Sequence, residues 1–297
     1  MNRRKLTAAR LRELASVLSE RDWTVLNEVA LLRFVSADQL GRLCFSGPDQ
    51  PADLRAARRT LLRLTRLGVL DRLPRRVGGI TPGSTSFIYC LGLVGQRLSM
   101  ERGWIRMRRA RSVTPGRLFI RHALDVAELH TRLVEAANQG SFELLERTSE
   151  PACWRDGGAL KPDSYLRLAS GAYEDSYFIE VDRGTEGSWA LNEQLARYQR
   201  YYESGQEQAE RGVFPKVLWL ATEPRRAENI TELIGRLPDA DRELFAVAHF
   251  DDALKVILEV NTPPPTPTPT IHLKAQGKIE VTRKRKERHE RTNYHPD

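Results

Sequence analysis

Two β-like segments that carry three acidic side chains constrain the fold of this chain more than any other feature. Segment 161–168 contains Asp163, and segment 177–186 contains Glu180 and Asp182. Side chains repeat every two residues along a strand, so Glu180 and Asp182 share a face, and a hairpin brings Asp163 beside them. Clustered carboxylates repel one another unless a cation or hydrogen-bond donors compensate, and Mg²⁺ prefers oxygen ligands. The pattern predicts a metal-binding or catalytic site.

Charge is divided unevenly along the chain. Residues 1–121 hold 24 Lys and Arg against 9 Asp and Glu, whereas residues 122–270 hold 15 against 26. This division is expected when one part of a protein holds a polyanion and another part carries functional acids. An arginine-rich source genome explains scattered arginines but not the asymmetry. Double-stranded DNA is therefore the expected partner.

Three helices and a hairpin are predicted in the basic part. Helical spacing and end signals favour helices over 23–34, 36–43 and 53–67, a stop at Gly68, and strands over 69–73 and 87–91 around a basic loop, 74–83. This order is typical of a winged helix, which we assign to residues 22–100 after a basic helix or arm over 1–21.

In a winged helix the third helix enters the major groove and the hairpin loop contacts the DNA backbone. An arginine-rich connector over 101–120 follows the hairpin and is also expected to contact phosphates. The predicted DNA-binding residues are Arg55, Arg58, Arg59, Arg75, Arg76, Arg106, Arg108 and Arg109. The alternative is a solvated basic face or a surface for protein contacts.

The acidic part alternates helices and strands. The predicted elements are a helix over 121–137, a strand over 142–146, the hairpin with the acids, helices over 188–202 and 225–237, and strands over 216–222 and 244–250. This order resembles the restriction-endonuclease-like core, which we assign to residues 121–260. The predicted fold class is therefore a two-domain α+β and α/β chain.

The motif Pro162-Asp163, a hairpin and then Glu180-x-Asp182 resembles the PD-(D/E)XK nucleases. The resemblance implies that Asp163 and Glu180 bind Mg²⁺ or Mn²⁺ and that Asp163, Glu180 and Asp182 form the catalytic set if the domain is active. Asp182 stands where the family has a lysine that helps to activate water. The next helix offers Arg197, which suits phosphate binding better than proton transfer. This departure leaves cleavage open.

Simpler roles exist for the same residues. Asp163 caps a turn after Pro162 in the alternative interpretation, while Glu180 and Asp182 pair with Arg183 or Arg197. Further candidate ligands on the first helix are Glu128, or Asp125 with His122. A tyrosine nucleophile among Tyr198, Tyr201 and Tyr202 is a rival idea, but the spacing lacks the partners that such chemistry needs and favours packing.

The chain also resembles the replication-relaxation family over Val25 to Phe250. The resemblance is carried by Leu67-Gly68-Val69-Leu70 after the basic helix and by the run Glu180 to Glu186. It implies DNA binding connected with replication, relaxation or transfer of mobile DNA, with relaxase or replication proteins as partners. We expect a DNA-binding accessory protein of a bacterial plasmid or integrative element with a degenerate nuclease-like domain. The alternatives are an active Mg²⁺-dependent endonuclease or nickase, and a winged-helix transcriptional regulator.

The remaining features concern location and the tail. Cys44, Cys90 and Cys153 show no zinc or disulfide spacing, and no apolar run reaches membrane length, so a cytoplasmic protein without membrane contact is expected. A proline-rich stretch and a basic stretch over 261–297 predict a disordered tail.

Overall fold

The structure is a computed structural model that describes residues 6–46, 53–73, 86–106, 115–171 and 173–260. The chain divides after residue 262, and all the described residues belong to the first of its two units, 1–262. The predicted disordered tail over 261–297 and the predicted basic loop over 74–83 lie outside the described residues. The rest of the fold belongs to the first unit.

The first part of that unit, residues 6–106, is mainly helical, and we call it the N-terminal module. Its elements are α1 (Ala8–Ser16), α2 (Glu20–Leu32), β1 (Val35–Ser36), α3 (Ala37–Cys44), α4 (Leu54–Arg66), β2 (Leu70–Arg72), β3 (Ile88–Leu91) and α5 (Leu93–Glu101). Ser19 and Ser36 each open a helix through a reciprocal capping box, and Asp53 caps α4. The three predicted helices are confirmed, and α5 is an element that the sequence did not reveal.

The end of α4 depends on glycine. Gly68 takes the left-handed conformation at φ 71°, which ends the helix and lets β2 start two residues later. A Cβ on Gly92 would lie 2.2 Å from the carbonyl oxygen of Gly68, so α5 can start against this turn only with glycine there. The three strands form an antiparallel sheet in the order β1-β3-β2.

The second part, residues 115–260, is an α/β arrangement, which we call the C-terminal module. Its elements are α6 (Arg117–Asn138), β4 (Glu143–Ser149), β5 (Ser164–Ser170), β6 (Tyr173–Asp182), α7 (Ser188–Glu203), α8 (Gln206–Arg211), β7 (Lys216–Ala221), α9 (Pro224–Gly235), α10 (Asp239–Arg242), β8 (Phe245–His249) and α11 (Ala253–Val260). Helix α6 begins at Arg117, four residues earlier than predicted.

These strands form one mixed sheet in the order β4-β5-β6-β7-β8. Strands β4, β5 and β6 run antiparallel, whereas β6, β7 and β8 run parallel and are joined through helices. Helices α6 and α11 pack on one face of the sheet, and α7 and α9 pack on the other. Strand β6 therefore lies at the centre of three layers.

The two modules are joined by polar contacts. Arg42 of α3 donates to Glu128 and Glu135 of α6, with a nitrogen–oxygen distance of 2.8 Å to each carboxylate. The side chain of Gln39 donates to the carbonyl of Leu124 at 2.9 Å. Further links are the Arg147–Glu28 and Arg33–Glu150 ion pairs and a hydrogen bond from Ser149 to the carbonyl of Leu31. Helix α6 thus serves both modules.

The predicted mixed helix and strand class is confirmed, with two sheets. The finer assignments, a winged helix and a nuclease-like domain, and the predicted domain boundaries stay predictions. Within the described ranges, no helix combines the length and apolar character needed to cross a bilayer.

Candidate functional site

One face of α4 presents arginine to solvent. Arg55, Arg58, Arg59 and Arg66 are exposed, and Leu62 between them is also exposed. Positions three and four apart lie on one side of a helix, so these side chains form a continuous stripe. No ion pair involves these four arginines within the described part of the chain. The opposite face carries Ala57, Leu61 and Leu64 into the core.

Of the other predicted DNA-binding arginines, only Arg106 lies within the described residues. Arg106 is exposed at the end of the N-terminal module. Arg75, Arg76, Arg108 and Arg109 lie outside the described residues.

Asp163 lies just before β5 and is held by protein groups. One carboxylate oxygen is 2.9 Å from Nε2 of His122 on α6, and the other accepts a 2.8 Å hydrogen bond from the backbone N–H of Val181. Burial lowers the pKa of His122, but Asp163, Glu150 and Asp125 outweigh it and raise that pKa to about 9. At neutral pH, Asp163 therefore faces an imidazolium.

Glu180 points from β6 toward α7 and is only 5% exposed. The hydroxyl of Tyr198 donates to its carboxyl group, and the amide of Gln194 lies nearby. Burial, with the nearby charge of Asp163, raises the pKa of Glu180 well above its usual value. The environment therefore favours the neutral acid.

Asp182 lies on the same face of β6 as Glu180, two residues on. Its carboxylate receives two hydrogen bonds from Arg226 of α9, at 3.0 and 2.9 Å, and one from the backbone N–H of Gly184. The side chain of Asp182 is 8% exposed and that of Arg226 is 12% exposed. This fork is a structural ion pair between the sheet and α9.

These donors do not fit the Mg²⁺ site expected from the sequence. Metal binding by Asp163 would require release of His122 and the Val181 N–H, and the carboxyl group of Glu180 would have to release the hydroxyl of Tyr198. Among the residues that the structure describes, no group of three or more His, Cys, Asp or Glu side chains could hold a metal ion. Binding of Mg²⁺ or Mn²⁺ by Asp163 and Glu180 stays a prediction that requires rearrangement.

The structure also shows where the residues of the alternative interpretations lie and with which residues they pair. Asp125 pairs with Arg183, so Arg183 is not the partner of Glu180 or Asp182. Glu128 pairs with Arg42 and Arg132 and belongs to the contact between modules. Tyr198 and Tyr201 are buried among aromatic rings, as the packing interpretation predicted, whereas Tyr202 is 40% exposed.

A pocket of about 240 Å³ opens beside Glu180, between the end of β6 and the start of α7. The polar or aromatic residues that share its lining with Glu180 are Lys161, Glu186, Trp189, Glu193, Gln194 and Arg197. Lys161 and Trp189 were missed as candidates. Their available signals were the position of Lys161 two residues before Asp163 and a tryptophan near the start of a helix.

The fold and these sites define a class: a mixed α+β protein that pairs an arginine-faced helical module with an α/β module centred on buried acids. The sequence matches the replication-relaxation family over residues 26–217, from within α2 to the second residue of β7. The chain belongs to this family, which connects it with the replication and relaxation of mobile elements. Comparisons with curated proteins and with solved structures give no match.

Proposed function

We propose that the chain is a DNA-binding accessory protein that acts in the replication, relaxation or transfer of a mobile element. In this proposal the N-terminal module is a winged helix that contacts duplex DNA through α4. The C-terminal module has a nuclease-like fold whose acids have become structural, and it offers contacts to DNA or to relaxase or replication proteins. The arginine stripe on α4 is the observation that carries the proposal.

Three properties of α4 support duplex binding. Arg55, Arg58, Arg59 and Arg66 are exposed, no ion pair within the described residues involves them, and the helix is fixed by a buried apolar face. An unpaired guanidinium can replace condensed counterions on phosphates, which gives affinity that decreases with salt. By contrast, Arg63 on the same helix pairs with the buried Asp22 and is not available for this role.

The test is duplex binding by the variant Arg58→Ala/Arg59→Ala, measured by fluorescence anisotropy over a range of salt concentrations. We expect weaker binding and a log–log salt slope smaller in magnitude by about 2, because two phosphate contacts are lost. The matched control is Arg225→Ala/Arg236→Ala, which removes two exposed charges from the C-terminal module. Equal losses in both variants would show only a net-charge effect and would overturn the role of α4.

Asp163 and Glu180 favour one second candidate, an active Mg²⁺-dependent endonuclease or nickase. They lie near enough for the charge of Asp163 to raise the pKa of Glu180, and β6 carries both Glu180 and Asp182 in the order of the nuclease motif. Adjacent carboxylates supply the oxygen ligands that Mg²⁺ takes in metal-assisted hydrolysis. The burial of Glu180 against Tyr198 and the ion pairs of Asp163 and Asp182 weigh against it.

Supercoiled DNA distinguishes the two candidates. We expect no nicking by the wild type with Mg²⁺ or Mn²⁺ under conditions in which it binds DNA. Nicking that disappears in both Asp163→Ala and Glu180→Ala, but persists in Glu228→Ala, would establish the enzyme instead. Glu228 is a suitable control because it is an exposed acid of α9 that belongs neither to the motif nor to the pocket beside Glu180.

A further inference from the structure

The pocket beside Glu180 has a chemical character that the accessory role leaves unused. Its lining includes the buried carboxyl group of Glu180, which accepts a hydrogen bond from Tyr198. Glu186 and Glu193 add acceptor oxygens at the wall, and Gln194 adds an amide. The pocket is therefore rich in hydrogen-bonding groups, with acceptors in excess.

Aromatic rings and cations surround this polar interior. Trp189 is 79% exposed although it lines the pocket, an unusual position for a tryptophan. Lys161 lines the same pocket, and its ammonium group lies 4.9 Å from the centre of the Trp154 ring. Arg197 is exposed on the side of α7. Two aromatic surfaces and two cations thus lie at or near the mouth.

We propose that this pocket binds an unpaired nucleobase of single-stranded DNA. Exposed aromatic rings stack on bases of any sequence, and neighbouring cations hold the sugar-phosphate backbone. The acceptor oxygens inside suit the exocyclic amino groups of cytosine, adenine and guanine better than the carbonyl edge of thymine. A phosphate suits the interior poorly, because Glu186 and Glu193 would repel it.

The inference rests on the proposed function, since it takes DNA as the partner. It adds a second mode of contact: duplex on α4 and an extruded or single-stranded base at α7. A base inside a duplex is stacked and paired, so it reaches a pocket only after it leaves the helix. Replicating DNA, in which the strands are separated, supplies such bases.

The test uses short fluorescein-labelled oligodeoxycytidine and oligothymidine with the full chain, read by anisotropy. We expect Trp189→Ala to weaken binding of oligodeoxycytidine roughly tenfold, because base stacking on one ring is lost, and Trp189→Phe to retain most of it. Glu193→Ala should reduce the preference for oligodeoxycytidine over oligothymidine. Tyr202→Ala is the matched control, because Tyr202 is also an exposed aromatic residue of α7 but does not line the pocket.

Three results would contradict base binding by the pocket. These are unchanged oligonucleotide binding by Trp189→Ala, an equal loss of affinity in Trp189→Ala and Tyr202→Ala, and competition by a duplex that is as effective as competition by a single strand. Duplex binding measured in parallel separates the two proposals. Failure of Arg58→Ala/Arg59→Ala to weaken duplex binding removes the role of α4, whereas the oligonucleotide results alone decide the role of the pocket.

Discussion

Side chains of the protein occupy the positions around the acids where a metal was expected. His122 faces Asp163, Arg226 holds Asp182, and Tyr198 donates to Glu180. Each acid is therefore stabilised by a different element of the C-terminal module. The cluster joins α6, α7 and α9 to the sheet around the central strand β6, which is a structural role.

The His122–Asp163 pair predicts a dependence of stability on pH. Folding raises the pKa of His122 from 6.5 to about 9, so its contribution is complete below pH 6.5 and is lost as the pH rises to about 9. The loss is at most about 3 kcal/mol in the free energy of unfolding. Urea unfolding of wild type and His122→Gln at several pH values measures it.

The difference between the two proteins is the relevant quantity, because ionisation of Glu180 also destabilises the fold as the pH rises. That difference should shrink between pH 6.5 and 9. A constant difference across this range would mean that His122 is not charged in the folded protein.

The Arg226–Asp182 pair predicts a large effect of a single substitution. Arg226→Ala leaves a carboxylate that is 8% exposed without its cation, and removal of one partner of a buried pair costs about 3 kcal/mol of stability or more. The control is the neighbouring Arg225→Ala, which removes an exposed arginine from the same turn of α9. Similar unfolding midpoints for the two variants would contradict the structural role.

Local periodicity predicted part of this site. The remaining part could not be predicted, because the residues that pair with the acids are distant in the sequence. The two-residue repeat of a strand correctly placed Glu180 and Asp182 on one face. His122 lies 41 residues before Asp163, and Arg226 lies 44 residues after Asp182. Spacing of this size carries no local signal, because the partner is chosen by how α6 and α9 pack on the sheet.

The same limit applies to whole elements. Apolar periodicity marked α2, the Ser36 cap marked the start of α3, and Gly68 marked the end of α4. Helix α5 was missed because it contains Gly95 and follows Gly92, which weaken a helical signal. Both glycines are needed for close approach, since a Cβ on Gly95 would lie 2.1 Å from the carbonyl oxygen of Val69.

Helix α6 is linked to the N-terminal module through Arg42 of α3. Removal of the Arg42 side chain should therefore lower the stability of the protein. Arg42→Ala leaves Glu128 and Glu135 without their shared cation, so we expect a loss of about 1–3 kcal/mol in the free energy of unfolding. Denaturant unfolding measures the loss. The control is Arg10→Ala, which breaks the exposed Arg10–Glu13 pair and should cost well under about 1 kcal/mol. An effect of Arg42→Ala no larger than the control would mean that the contact is incidental.

At the scale of the whole molecule, the basic residues of the first part of the chain lie in two kinds of place. Part of the basic excess of residues 1–121 faces acids of the C-terminal module, as Arg33 and Arg42 do. Another part, on α4, faces solvent. Composition alone predicted a basic surface, but it could not distinguish arginines that join the modules from arginines that remain available for DNA.

The shared interface predicts that both modules unfold together. Native-state hydrogen exchange should give slow amides of α2 and of β6 the same opening free energy, because neither module loses its partner without exposing buried polar contacts. Arg42→Ala should separate the two values. A lower opening free energy for α2 in the wild type would show that the N-terminal module unfolds independently.

The acids that neutralise Arg33 and Arg42 also bear on how DNA affinity is mapped by deletion. In a fragment that ends before α6, the guanidinium groups of Arg33 and Arg42 would lack their carboxylate partners and would be exposed to solvent. Such a fragment would bind polyanions more strongly than the intact chain and would overstate the DNA affinity that we propose for α4. Single substitutions in the intact chain therefore give the fairer map.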